Sequence, residues 1–544
     1  MTKRIRAAGF AVLVLAVLVS SGCKGPRHEE GHELSFAIEN ELTNLDPIKS
    51  QEPYSLQVIG QIFEGLVSLD GHNQMVPVLA ESWSHNKDFT VWQFKIRKGV
   101  YFHEDDCFGP RRTREVSAQD VLYSFQRIVS KESYPAFVLA DIVKGVGDFQ
   151  TGKASDVSGF RVVGGDVFEV ELQKPEAFFL HRITSPWFCV FPKEAVSLGP
   201  DVFGRTNGIG TGPFLLKQRS DTEVVLEKNA HYWRSTEGNL ERLRFKVIKN
   251  EQIRLSELRN GNISMMRLPV SLIPGVLATS GSRPDEFRLK PPFDRDFNVG
   301  AFPTFNSHFI GFNCDKMDVH LRRAISFALD RNEIVKAITN GSGLLSTGTV
   351  PAGLLGYQPP YNGDIFDLER AKAELKQSTF NANTMTVDLL VHEKDNTELL
   401  GQLVQSQLQK IGLKVAIRKM DYNAVVDRMI KGETQAFALA LEYVFSAPQP
   451  ILINIFDSAK IPVPNFWHYR NPKVDADLEK LRHVDDQTKA NAMCQRIEKQ
   501  TIEDAPAAFL YQLRNLVIVR KNISGVAFNG HSIPLLWQVR VGPL

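Results

Sequence analysis

The feature that most constrains the fold is an alternation of strand-like and helix-like segments along the chain. Residues 34–38 and 89–96 have the two-residue period that is typical of strands. Residues 57–67 have helical spacing, and we expect Ser117 to cap a second helix. Because such segments follow one another to the C-terminus, the pattern predicts an α/β or α+β fold.

The length of the chain limits how many folded units it forms. More than 500 of the 544 residues remain after an N-terminal signal is removed. A single hydrophobic core rarely grows to that size, so we expect at least two lobes. The net charge is only +2 and no basic patch stands out, which argues against a nucleic-acid partner.

The N-terminus has the pattern of an export signal. The basic start MTKRIR is followed by an apolar run over residues 7–19 and then by Ser20-Ser-Gly-Cys23. This order predicts a signal peptide over residues 1–22, and the apolar run is short for a membrane span. A cysteine after small residues resembles a bacterial lipobox, although Ser20 stands where the pattern usually has Leu. We therefore predict lipidation of Cys23 and a tether over residues 23–33; the alternative is a plain signal peptide with an incidental cysteine.

Residues 28–32, HEEGH, match the H-E-x-x-H pattern of zinc proteases. That chemistry needs a stable helix, on which two histidines bind zinc and the glutamate acts as general base. Gly31 costs roughly 1 kcal/mol in a helix, and no apolar residues nearby would hold a helix against a core. We interpret the match as accidental and predict no metal site and no cofactor.

Two further motif tests weigh against an enzyme. Residues 208–214, GIGTGPF, resemble a phosphate loop but lead into a strand, so we predict a tight glycine turn. The chain lacks a G-x-S-x-G nucleophile motif. None of the cysteines beyond Cys23 falls in a C-x-x-C motif, and we expect these residues to be mostly unpaired: Cys107, Cys189, Cys314 and Cys494.

A series of short segments follows in a fixed order along nearly the whole mature chain. They are Leu45-Asp46-Pro47, IFEGLVSLD at 62–70, PVLAESW at 77–83, FKIRKGVYFHED at 94–105, SAQDVLYSFQRI at 117–128, GTGPF at 210–214, LEKNAHYW at 226–233, FIGFNCDK at 309–316, RRAISFALDRNEIV at 322–335, LVQSQLQKIGLKV at 403–415, NFWHYRNPKVD at 465–475 and EDAPAAFLYQ at 503–512. In this order, the segments resemble those of the extracytoplasmic solute-binding proteins of the peptide/nickel type, solute-binding family five.

The resemblance implies an α/β periplasmic-binding-protein clamshell of type II, similar to cluster C, with mixed sheets and two hinge crossovers. Lobe I would contain residues 34–303 and 506–544, with a subdomain at about 76–200, and lobe II would contain residues 304–505. A peptide or other small solute would bind between the lobes and be delivered to an ABC-type permease in the inner membrane. We expect an exported monomer held at the membrane by its N-terminal lipid. A sensory or chaperone role without transport remains open.

The resemblance also points to the residues that set specificity. Peptide-binding members carry G-W-x-A-D-Y-x-D-P, in which the first Asp binds the α-amino group of the peptide. Gly432 and Pro448 fix the two ends of the stretch that contains this segment, with no gap between them. The final Pro of the motif then falls on Pro448, and its first Asp falls on Val444. A buried ammonium without a counter-charge is costly. We therefore expect that a free peptide N-terminus does not bind here in the usual way.

Strand alternation supplies a substitute acid. If position 444 faces the cleft, so do Glu442, Ala440 and Ala438. Glu442 would then bind a cationic group or accept hydrogen bonds from hydroxyls; the alternative is an acid turned to solvent or paired with an arginine. The other candidate ligand contacts are Tyr443, Leu45, Tyr54 and Trp467. Trp467 is equally compatible with a place in the core.

Two questions stay open at this level. The ligand class is a peptide or peptide-like solute, with oligosaccharides, nickel chelates and opines as alternatives. Residues 106–116, DCFGPRRTREV, are longer than the usual turn of the family at this point, and we expect an exposed basic loop.

Overall fold

The computed structural model describes residues 32–278, 287–354, 357–361, 363–393 and 396–543. The predicted signal peptide, Cys23 and all of the HEEGH segment except its last residue lie outside these ranges. The tether predicted for residues 23–33 ends too late, because Glu33 already belongs to the first strand and pairs with Arg242.

The strands of the described residues form three larger sheets and several two-stranded ribbons. In chain order they are β1 (Glu33–Ile38), β2 (Val67–Leu69), β3 (Met75–Pro77), β4 (Ala80–His85), β5 (Val91–Ile96), β6 (Phe160–Val163), β7 (Val167–Glu171), β8 (Phe214–Arg219), β9 (Glu223–Lys228), β10 (Arg242–Val247), β11 (Met265–Arg267), β12 (Leu277–Ala278), β13 (Arg288–Leu289), β14 (Phe297–Pro303), β15 (Asn306–Phe312), β16 (Leu344–Leu345), β17 (Val387–His392), β18 (Val415–Met420), β19 (Ala436–Glu442), β20 (Ala507–Gln512), β21 (Arg514–Arg520), β22 (Ile523–Ser524) and β23 (Arg540–Val541).

The helices of the described residues lie mostly between these strands. They are α1 (Pro53–Ile62), α2 (Ala118–Ile128), α3 (Val146–Gln150), α4 (Lys193–Val196), α5 (Glu251–Asn260), α6 (Ile273–Val276), α7 (Phe293–Asp296), α8 (Val319–Ala328), α9 (Arg331–Thr339), α10 (Leu368–Gln377), α11 (Thr397–Gln409), α12 (Tyr422–Ile430), α13 (Pro448–Phe456), α14 (Pro472–Leu481) and α15 (Gln487–Asp504).

Lobe I is built on a seven-stranded sheet in the order β14-β21-β11-β1-β10-β9-β8. Strand β1 is parallel to both of its neighbours, whereas the outer pairs are antiparallel, so the sheet is mixed. Both faces are buried: Phe36 packs in the largest core, and Ala37 packs in a separate core on the other face. A four-stranded antiparallel sheet, β4-β5-β7-β6, lies in the same lobe.

Lobe II is built on the six-stranded sheet β16-β20-β15-β19-β17-β18. A second hydrophobic core of the protein, called the second core below, lies between this sheet and helices α8, α9 and α11. Several helices of this lobe begin after an aspartate whose carboxylate accepts a backbone hydrogen bond from the third residue beyond it, a cap that contributes about 1 kcal/mol. These caps are Asp318, Asp330, Asp367, Asp421 and Asp486.

The chain passes between the two large sheets twice. Only Thr304 and Phe305 separate β14 of the seven-stranded sheet from β15 of the six-stranded sheet. On the return, only Leu513 separates β20 from β21. The return lies later than the predicted boundary at 506, because β20 pairs with β15 and therefore belongs with lobe II.

Local predictions hold in type but shift at their boundaries. The helix predicted for residues 57–67 is α1, which starts at Pro53 and stops at Ile62, where Phe63 turns to an extended backbone. The predicted cap at Ser117 is confirmed, since the Asp120 carboxylate accepts from both its backbone N–H and its hydroxyl, at 2.9 and 2.7 Å. The glycine turn before Phe214 leads directly into β8, as expected.

Candidate ligand cleft between the lobes

The facing edges of the two large sheets form the floor of the candidate cleft. In lobe I, the ends of β1, β11 and β14 lie at the same edge as the start of β21. In lobe II, the start of β15 lies beside the ends of β19 and β20. Because the crossovers join these two edges, side chains there lie where the lobes meet, the usual place for a small-molecule site.

Strand β19 supplies the lobe II side of this edge. Ala438 pairs with Ile310, and both pack in the second core, so Ala438 does not face the cleft as predicted. Ala440 is half-buried and lies opposite His308, and Glu442 is exposed. The strand ends at Glu442, which means that Val444, also half-buried, lies beyond the range of strict strand alternation.

Tyr443 points away from the face that carries Glu442 and is buried. Its backbone N–H donates to the carbonyl of Phe305 in the first crossover, at 2.7 Å. Its hydroxyl lies 2.8 Å from Oγ1 of Thr349. Burial raises the pKa of the Tyr443 hydroxyl. Tyr443 therefore fixes the end of β19 against the hinge.

Thr349 belongs to a segment that a buried acid holds in place. Oε1 of Glu498 accepts from the backbone N–H of Val350 at 2.8 Å, and its other carboxylate oxygen accepts from the Tyr357 hydroxyl. Burial raises the pKa of Glu498 from its ordinary value of 4.5 to about 7. The carboxyl group of Glu498 is therefore linked to the end of β19 through the Thr349–Val350 segment and Tyr443.

Sequence reasoning missed His308, the third residue of β15, which lies close to the lobe II edge. Its ring stacks on Tyr511 at 4.4 Å between centroids. Its Nε2 atom has no hydrogen-bond partner within the described residues. Burial, reinforced by nearby His392, lowers the pKa of His308 to about 4. The two histidines are far apart in sequence, so no spacing pattern could have indicated their proximity.

Three other predicted contacts lie at different depths. Leu45 and Trp467 have no exposed surface in this conformation and pack in the largest core. Tyr54 is buried near the lobe I edge, beside Glu39 and Arg267, and burial raises the pKa of its hydroxyl to about 12. Tyr54 is therefore the one member of this group that lies beside charged groups of the cleft floor.

The lobe I edge carries two arginines with different surroundings. Arg254 lies 3.4 Å from the carboxylate of Glu39. Arg267, the last residue of β11, is half-buried and donates to Oδ1 of Asn515. Neither residue was singled out from the sequence, because isolated arginines in a chain of this composition carry no signal of their own.

Beyond the crossovers, a polar contact joins the lobes beside Val444. Nδ1 of His181 lies 2.8 Å from the hydroxyl of Ser446, and the Ser446 N–H donates to the carbonyl of His181. On the lobe I side, the Thr184 hydroxyl lies 2.9 Å from Nε2 of His531. Burial lowers the pKa of His181 to about 3 and that of His531 to about 4. Both rings are therefore neutral near pH 7.

A buried charge cluster lies next to this contact. Glu176 is 3.4 Å from Arg182 in its own lobe and 3.2 Å from Arg482 of lobe II. The guanidinium of Arg182 also lies 4.9 Å from the ring centroid of Phe445. No carboxylate of residues 443–449 faces these cations, because that segment contains no acid. Residues 443–449 therefore bring no negative charge of their own to position 444.

The segment at 106–116 is largely exposed, as predicted, but it is not an irregular basic loop. Residues Asp106–Arg111 form a 3-10 helix. Arg112 pairs with Asp106, and Arg114 lies 2.6 Å from Asp120 and 2.7 Å from Glu194. The positive charge of this segment is largely neutralised by its neighbours.

Some of the family-like segments meet in the core rather than at the cleft. Glu64 is buried and accepts hydrogen bonds from the Tyr232 hydroxyl at 2.7 Å, from Trp233 Nε1 at 2.9 Å and from the Thr211 hydroxyl at 2.8 Å. Burial raises the pKa of Glu64. This cluster joins three family-like segments and supports the fold.

Over the part of the chain that the structure covers, no three His, Cys, Asp or Glu side chains are grouped to hold a metal ion. No helix in those same ranges is both long and apolar enough to cross a membrane. The four cysteines there, Cys107, Cys189, Cys314 and Cys494, are unpaired.

The two lobes, the double crossover and the polar edges between them define a two-lobed solute-binding protein.

Comparison with known proteins identifies the family. Residues 74–462 match the model for bacterial extracellular solute-binding proteins, family 5. Since this match covers more than half of the chain, the protein belongs to that family, whose members bind substrates and are not classed as enzymes.

Relatives and solved structures agree with this assignment. The periplasmic oligopeptide-binding protein OppA of Salmonella typhimurium is 25% identical over 550 residues, covering 96% of this chain and 95% of OppA. The dipeptide-binding protein of Escherichia coli is 25% identical over 479 residues, covering 84% of each chain. The structure of HbpA2 from Haemophilus parasuis has a TM-score of 0.78 at 23% identity, covering 94% of this chain and 100% of HbpA2. The predicted two-lobed α/β fold is confirmed.

Proposed function

We propose that this protein captures a peptide or peptide-like solute between its lobes and delivers it to an ABC-type permease. Family membership and the peptide-binding names of its relatives support this proposal. The observation that carries it is the gathering of polar side chains at the facing sheet edges, which includes Glu442, His308, Tyr54 and Arg267. No step of this function requires catalysis.

Within the cleft, we assign ligand contacts to Glu442, Ala440 and Val444 of lobe II and to Tyr54 of lobe I. Exposed Glu442 is the only acid that the end of β19 offers. Tyr443 holds the end of the strand and does not contact the ligand in this assignment. We leave out Leu45 and Trp467, because both are fully buried.

The environment of Val444 favours a solute whose N-terminal group is not a free ammonium. Val444 brings no charge, residues 443–449 contain no acid, and the neighbouring imidazole of His181 is neutral. Burying an ammonium without one costs several kcal/mol. N-acylated or otherwise blocked peptides are the class that avoids this cost.

The cellular setting follows from the N-terminal pattern. We propose cleavage before Cys23, lipidation of Cys23, and a monomer that is tethered on the periplasmic or cell-surface side of the membrane. Metabolic labelling with a palmitate analogue tests this: the wild-type chain should incorporate label and Cys23→Ser should not.

The experiment for the ligand class is a thermal-shift panel on the full-length chain from an exporting host, refolded to strip bound solute. The panel contains di- to pentapeptides, their N-acetylated versions, oligosaccharides and nickel chelates. A ligand at a hundredfold its Kd adds about 2.7 kcal/mol of stability, which a thermal shift detects readily. We expect N-acetylated peptides to stabilise more than free-amine peptides. A response only to sugars or chelates would remove the peptide assignment.

Glu442→Gln tests the assigned lobe II contact. The substitution keeps the shape of the side chain and removes its charge. We expect weaker binding of whichever panel member binds best. Unchanged affinity would show that Glu442 does not contact the ligand.

A further inference from the structure

The lobe I edge of the cleft contains a cation without a counter-charge. Arg267 is half-buried at the end of β11, and no carboxylate of the described residues lies within ion-pair distance of its guanidinium. Its neighbour Arg254, by contrast, is paired with Glu39 at 3.4 Å. The one hydrogen bond that Arg267 donates within the described residues goes to the neutral amide oxygen of Asn515.

Asn515 presents a second donor at the same place. It is the second residue of β21, directly after the return crossover, and its side chain is 1% exposed. Its Oδ1 accepts from Arg267, whereas its Nδ2 has no hydrogen-bond partner within the described residues. A buried amide donor without an acceptor is costly, so an acceptor that another molecule brings to this place would be stabilising.

A guanidinium and an amide donor side by side suit a carboxylate. Charge-assisted hydrogen bonds from arginine to carboxylate are among the strongest in proteins. A closed cleft would exclude water from Arg267, and an unpaired cation in that environment is unfavourable unless the ligand supplies the negative charge. The donors of Arg267 and Asn515 therefore form a site that a pair of anionic oxygens would complete.

We propose that Arg267 and Nδ2 of Asn515 bind a carboxylate of the solute at the lobe I edge of the cleft. This inference rests on the proposed function and narrows its substrate class to solutes with a free carboxylate. Such a solute has a fixed polarity: its anionic end lies at Arg267, and its uncharged end lies toward Val444.

The test uses two libraries of N-acetylated tripeptides, one with free carboxyl termini and one with C-terminal amides. The refolded full-length chain is incubated with each library, and retained peptides are quantified by mass spectrometry. We expect the free-carboxyl library to be retained about 10- to 100-fold better, as the loss of a charge-assisted hydrogen bond implies. Equal retention of both libraries overturns the carboxylate site but leaves peptide capture standing. Retention of neither overturns the carboxylate site for N-blocked peptides, and the free-amine peptides of the thermal-shift panel then decide whether peptide capture stands.

Variants separate a ligand contact from a purely structural role. Arg267→Gln should abolish the preference for free carboxyls, and Arg267→Lys should keep part of it. Asn515→Asp places a carboxylate of the protein beside Arg267. It should raise the melting temperature of the protein without ligand and remove the preference for free carboxyl termini. Arg242→Gln is the control and should leave the preference unchanged. Arg242 starts β10 in the same sheet and lies at the edge opposite to the cleft, beside the start of β1. A preference that survives in both Arg267→Gln and Asn515→Asp would overturn the proposal.

Discussion

Replacing Glu176 by Gln should strongly destabilise the protein, because it leaves a buried arginine without its acid. The side chains of Glu176 and Arg182 are each 2% exposed, and Glu176 is the only carboxylate paired with Arg182 among the described residues. Arg482, which Glu176 also contacts, keeps Asp457 and Glu479, each at 3.3 Å. The cost therefore falls mainly on Arg182.

The size of the effect follows from this asymmetry. Removing one partner of a buried ion pair typically costs about 3–5 kcal/mol. Because Arg482 remains compensated, we expect a value near the lower end, about 3 kcal/mol. Burial already lowers the pKa of Arg182, which agrees with a guanidinium that depends on its partner. The exposed pair Lys95–Glu81, 3.2 Å apart, gives a matched control, since Glu81→Gln should cost less than about 1 kcal/mol.

The assay is urea unfolding followed by tryptophan fluorescence and by far-UV circular dichroism, with coincident transitions required before a free energy is extracted. A second variant provides the internal check. Adding Arg182→Met to Glu176→Gln removes the stranded cation and should recover at least half of the lost stability. A loss below about 1 kcal/mol for Glu176→Gln, or a further loss in the double variant, would refute the reasoning.

Three further predictions follow from other features. The pKa of Glu498 is raised in the folded state, so protonated Glu498 contributes stability that is fully present below its ordinary pKa of 4.5 and is lost as pH rises through about 7. Thermal melts from pH 5 to 8.5 should show a loss of stability of up to about 3 kcal/mol, and Glu498→Gln should remove this pH dependence. Phe125→Ala, in the lobe I core, should cost about 3–5 kcal/mol in urea unfolding, whereas exposed Phe137→Ala should cost less than about 1 kcal/mol. Val444→Asp should improve binding of free-amine peptides relative to their N-acetylated versions by about tenfold in calorimetry, and an unchanged ratio would mean that position 444 does not face the ligand.

The sequence predicts the architecture well because its strongest signals are structural. The period of two in β1 and the cap of α2 are local effects, and both appear in the structure. Glu64 shows why family-like segments are good markers of fold, since its three donors come from distant segments that must meet for the core to form. Such segments say little about the ligand, because the same hydrogen bonds would hold lobe I together whatever the ligand is.

The site is less predictable because strand pairing and crossovers determine it. Alternation places Tyr443 on the other face from Glu442, although Tyr443 is among the predicted contacts, and it fails at Ala438, where the second core covers the same face further along the strand. Arg267 and Asn515 are 248 positions apart and meet only because β11 pairs with β21. No local pattern in either segment encodes that pairing.

The position of β21 has a consequence for how the protein is made. This strand lies between β14 and β11, so the seven-stranded sheet has a gap until residues 514–520 are in place. A chain is synthesised N-terminus first, and until its last segment is made β14 and β11 present two unpaired edges, the kind of surface that promotes aggregation. Even a short C-terminal truncation before β21 would therefore be a folding defect of lobe I as a whole, although it removes few residues. For this chain, synthesis has to be complete before the first lobe can close its own sheet.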